Sequence, residues 1–80
     1  MSRAYEEIVD FIASGPSPQN VVEFRASDAT RERVADLIRR EKDEALDPDE
    51  ISELEHHLQL EHIMRLAKSR ARLRVQGIQP

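Results

Sequence analysis

Apolar residues recur at helical spacing along most of this chain. Ala4, Tyr5, Ile8, Phe11 and Ile12 fall on one stripe, and Gly15-Pro16 follows it. Glycine accepts the left-handed conformation at a helix end and proline cannot continue the helix, so a first helix over residues 3 to 14 is predicted. Ser17 is a suitable N-cap and Pro18 suits a first helical position, which predicts a short second helix over 18 to 24 carrying Val21, Val22 and Phe24. A strand through "VVEF" is the alternative there, but a lone strand has nothing to pair with. Ser27 or Asp28 caps a third helix over 28 to 44, with Thr30, Val34, Leu37, Ile38 and Ala45 on one side. "LDPDE" is the sharpest local signal: Asp47 as N-cap, Pro48 at the first position and Glu50 at the third make a capping box. The fourth helix then runs over 48 to 74, roughly 27 residues and about 40 Å, with 75 to 80 as a frayed tail. The implied fold is all-α, one domain over 1 to 80, with short N-terminal helices packed on a long antiparallel helical hairpin.

The fourth helix is apolar on more than one side. At about 100° per residue, Ile51, Leu54 and Leu58 cluster together, whereas Leu60, Ile63, Met64, Ala67 and Ala71 cluster nearly opposite. Leu66 and Leu73 point elsewhere again. The third helix is expected to cover the first stripe as it folds back. The second stripe then needs the first two helices or something outside the monomer. His56, Leu60, Ile63, Met64 and Ala67 are therefore the candidate protein-interface residues, for a protein partner or a homodimer.

Charge sharpens this picture. The composition is 39% hydrophobic and 35% charged with net charge −4, yet the two signs are separated along the chain. Residues 1 to 63 hold seven basic against sixteen acidic residues, −9, and Arg65, Lys68, Arg70, Arg72 and Arg74 give +5 afterwards. An acidic body suits docking onto a basic protein. The five cations are the candidate contacts of an alternative reading, nucleic-acid binding by the last helix, although they fan around it and no aromatic residue follows Leu66. They equally suit the negative end of a helix dipole. The absence of cysteine excludes disulfides and thiolate metal sites. No signal-peptide pattern or membrane-spanning run is visible, so a cytoplasmic protein is expected. A chain of 80 residues has a modest core, and a partner or second copy would help it.

"ELEHHLQLEH", residues 53 to 62, is the one stretch dense in metal-binding and acid/base side chains. On the helical wheel His56, His57 and His62 point three ways, so they cannot converge on one zinc ion. Glu53, His57, Glu61 and Arg65 do form an i,i+4 ridge. The ordinary explanation is a row of surface charge pairs, and a weak divalent-cation site would use the same atoms. No cysteine nucleophile and no glycine-rich phosphate loop is present, so no catalytic residue, cofactor or metal is expected and the chain reads as a noncatalytic protein.

Residues 34 to 73, "VADLIRREKDEALDPDEISELEHHLQLEHIMRLAKSRARL", resemble a group of small bacterial helical proteins. Leu46, Asp47, Pro48, Asp49 and Glu50 match its "L-T-P-E-E"-like turn, with Asp47 replacing the usual threonine. Leu66, Ala67, Lys68, Ala71 and Arg72 match its "L-x-K-A-R-A"-like end. The opening "YEEIVDFIASG" and "FRAS" resemble a subset associated with neighbouring HNH-type nuclease genes. The resemblance implies an antitoxin-like role, a small helical partner that restrains or assists a nuclease.

Overall fold

Three of the four helices begin on side chains that the sequence supplies for capping. In the computed structural model, which describes residues 3–77, they are α1 (Glu6–Ala13), α2 (Pro18–Glu23), α3 (Asp28–Lys42) and α4 (Pro48–Val75). Ser17, Ser27 and Asp47 each accept a hydrogen bond from the backbone N–H three residues on. At α2 and α4 the third residue, Asn20 or Glu50, reaches back to the cap N–H and closes a capping box. The fold is all-α.

The boundaries differ from the sequence expectation in ways that have local causes. Arg3 to Tyr5 form a turn rather than the first turn of α1, because Tyr5 has no side-chain oxygen placed to cap it. Val21 and Val22 lie within α2, so the strand alternative fails; Phe24 is already extended. The tail expected to fray from residue 75 is helical through Val75, and residues 78–80 lie outside the described ones. α3 stops at Lys42 rather than Glu44, since Glu44 adopts φ +55°. There the Ala45 N–H donates to the Arg40 carbonyl and the Glu44 N–H to the Glu41 carbonyl, both at 2.9 Å. This is a Schellman closure with glutamate at the position glycine usually takes.

Leu37 and Leu54 are fully buried at 0% and 1% exposure, joined in the core by Ala4, Ile8, Met64 and Ala71. α2 lies along α4. Its end is held by Lys68, whose Nζ donates to the Phe24 carbonyl at 2.6 Å, and Phe24 packs on Phe11 of α1 with ring centroids 4.4 Å apart. α3 meets the first turns of α4 through Arg40–Glu50 and Arg33–Glu53. The longest dimension is 47 Å, set by the 28 residues of α4. Of the side of α3 expected to pack, only Leu37 is buried; Ile38 is 37% exposed and Ala45 is exposed.

α4 does not change sides where the sequence pattern suggested. Its buried residues, Glu53, Leu54, His57, Met64 and Ala71, all fall within one arc of about 100° on the wheel. The stripe expected beneath α3 is split: Leu54 turns in, while Ile51 and Leu58 turn out. The inward face is continuous from one end of the helix to the other.

The strained turn gives a direct test. A non-glycine residue in the left-handed region costs about 1 kcal/mol, and the Glu44 side chain is exposed. Glu44→Gly is expected to raise unfolding stability by about 0.5–1 kcal/mol in urea denaturation. A loss of stability would contradict this geometry.

Candidate protein-binding face

The histidine-rich stretch divides between the two faces of α4. Glu53 and His57 are only 5% and 3% exposed, so they are not the surface ridge expected from i,i+4 spacing. The Glu53 carboxylate accepts from Arg33 Nε at 3.0 Å and Arg33 Nη2 at 2.9 Å, and Oε2 also accepts from the Ala4 N–H at 2.9 Å. These bonds hold its carboxyl below the usual carboxylate range, the Arg33 bonds contributing most. Only the later half of the ridge pairs locally: His57 Nε2 lies 3.5 Å from Glu61, and Arg65 lies 3.4 Å from the same carboxylate. Among the described residues no group of three His, Asp or Glu side chains is placed to hold a metal ion. The His57 Nδ1 is buried with no hydrogen-bond partner.

The proposed interface residues also separate. Met64 is buried, and Leu60 and Ala67 are half-buried. His56 packs edge-on against Tyr5 with centroids 5.4 Å apart, and Ile63 remains 52% exposed. Of that stripe Met64 alone is buried, and His56 and Ile63 are exposed. Of the five cations near the C-terminus, Lys68 is tied to Phe24 and Arg65 to Glu61, while Arg70, Arg72 and Arg74 are exposed. Their angles differ by about 160–200° between successive members, so they do not form one basic surface.

A cleft of about 420 Å³ opens between α3 and α4, walled by Ile8, Phe24, Val34 and Met64. Of the charged groups lining it, Arg31 pairs with Asp28, Arg65 with Glu61, and Lys68 with the Phe24 carbonyl, while Arg25 and the unpartnered His57 Nδ1 also belong to its lining.

The outer face of α4 is the more distinctive surface. Ile51, Leu58 and Leu66 are 43%, 43% and 57% exposed, with Leu73 half-buried in the same line. Large apolar side chains so aligned on an outward face are unusual for a surface helix. Sequence reasoning placed Ile51 and Leu58 under α3 and set Leu66 and Leu73 aside. The signal was present in the spacing 51, 58, 66, 73, all within about 80° of arc. Arg33 was also missed, although it lies one helical turn before Leu37 and so shares its buried line. No family model matches the chain, and neither a curated protein nor a solved structure matches it.

The acidic partners of the two arginines set the pH response. The Glu50 carboxyl is lowered to about 2, mainly by its hydrogen bond from Arg40, and that of Glu53 is also lowered. A depressed folded-state value means stabilisation that is present above the unfolded value near 4.3 and is lost as pH falls towards about 2. Thermal unfolding should therefore be flat from neutral pH to about 5 and fall steadily below about 4.5. Glu53→Gln should lower neutral-pH stability by about 1–3 kcal/mol and flatten that acid decline. An unchanged acid profile in calorimetry would refute the role of this ion pair.

Proposed function

We propose that this chain is a noncatalytic helical binding protein, antitoxin-like in role, that works by associating with other protein chains. The observation that carries this reading is the outward row of Ile51, Leu58 and Leu66 on a helix whose opposite face is already buried. Those side chains contribute little to the monomer, and covering them would remove apolar surface from water at about 25 cal/mol per Å². In this reading α3 and the first turns of α4 act as an antiparallel hairpin, which stiffens α4 as a platform. The acidic body, −9 over residues 1 to 63, suits a basic partner such as the nuclease that the sequence resemblance implies.

The reading is tested by purifying the tagged chain from its native cells beside Leu58→Glu and Leu66→Glu variants, and by assaying the wild type against the neighbouring gene product. A partner retained by the wild type and lost by either variant, with helicity unchanged in circular dichroism, is expected. Equal retention by all three would remove the outer face from the function.

A further inference from the structure

The outer face of α4 has an internal symmetry. Its central line runs Ile51, Glu55, Leu58, His62, Leu66, Ser69, Leu73, with steps of four, three, four, four, three and four. Read backwards from Leu73, the steps are the same. The pattern is palindromic about His62, and the apolar positions match: Ile51 mirrors Leu73, and Leu58 mirrors Leu66. Two steps of eleven residues cover the line, and an eleven-residue repeat at about 3.67 residues per turn keeps a stripe on one side of a nearly straight helix.

We infer that this face is occupied by a second copy of the chain, its α4 packed antiparallel about a twofold axis at His62. The inference rests on reading the face as a protein-binding surface and names its occupant. A twofold contact must be self-complementary, each residue meeting its mirror position on the other copy. Here Ile51 meets the partner's Leu73, Leu58 meets the partner's Leu66, and Glu55 meets the partner's Ser69, whose hydroxyl can donate to the carboxylate. His62 meets its own equivalent on the axis.

Charge favours the same arrangement. Glu50, Glu53, Glu61, Arg65 and Lys68 are paired within the chain, which leaves the exposed Glu55 on the acidic half of the face and the exposed Arg70 and Arg72 on the basic half. An antiparallel pair lays the Glu55 end of one α4 beside the Arg70 and Arg72 end of the other. A parallel pair in register would set Glu55 against the partner's Glu55 and like halves together. The central line spans 22 residue steps, about 33 Å, and a helix pair of that length buries an area at the low end of specific interfaces. Area alone does not set the affinity, and a small interface without a large buried anchor falls at the weak end, roughly micromolar. The acidic outer surface of the other helices stays free for a basic partner.

Sedimentation equilibrium of the purified full chain from about 1 to about 500 µM brackets that affinity. The mass is expected to rise towards twice 9.2 kDa, with Leu58→Glu and Leu66→Glu remaining monomeric and equally helical at the highest concentration. The chain has no cysteine, so orientation can be read from single introduced ones. Under mild oxidation His62→Cys should cross-link to itself, and Glu55→Cys should cross-link only when mixed with Ser69→Cys. A wild type that stays monomeric throughout, a dimer unaffected by either glutamate variant, or self-cross-linking of Glu55→Cys would overturn the inference. The purified chain contains no other protein, so a monomeric result rejects the second copy and leaves the binding of a different partner to the co-purification experiment.

Discussion

The carboxylate of Glu53 is where three of the four helices are joined. It sits on α4, receives both bonds of an Arg33 fork from α3, and accepts the Ala4 N–H from the turn leading into α1. A buried charge is tolerated only when paired and hydrogen-bonded, and here the pairing also fixes rotation. A bidentate guanidinium–carboxylate contact is planar and directional, so it sets which side of α4 faces α3. Leu54, next along the chain, is thereby carried into the core, where it and Leu37 are the two fully buried large side chains.

Once that rotation is set, the rest of α4 follows from a helix of 28 residues without an internal break. His57, Met64 and Ala71 continue the inward face, α2 closes over its second half, and Lys68 ties the end of α2 down. Ile51, Leu58 and Leu66 are left on the outside by the same geometry. The one long helix thus carries an apolar row turned into the chain and a second apolar row left on its outside.

The helices themselves were legible because their starts and stops are local chemistry: Ser17-Pro18, Ser27 and Asp47-Pro48 cap, and Gly15-Pro16 stops. What spacing alone could not give was the rotation of α4. The wheel grouped Ile51 with Leu54 because they lie within about 60° of each other, yet a buried face has an edge, and the edge falls between them. Its position depends on Arg33, twenty residues from Glu53, and a contact at that separation leaves no mark in local periodicity. The same blindness made the buried Glu53 and His57 look like surface charge. The fan of three histidines was read correctly from angles because that argument needed only the helix, not its neighbours.

The central claim is that α4 presents one face to the core and one to other chains, and Leu54 and Leu58 compare the two within one helical turn. Urea denaturation of Leu54→Asn and Leu58→Asn at submicromolar concentration, below the proposed association range, measures it most directly. The expected result is a loss of about 2–4 kcal/mol for Leu54→Asn and under about 1 kcal/mol for Leu58→Asn. Comparable losses at the two positions would contradict it.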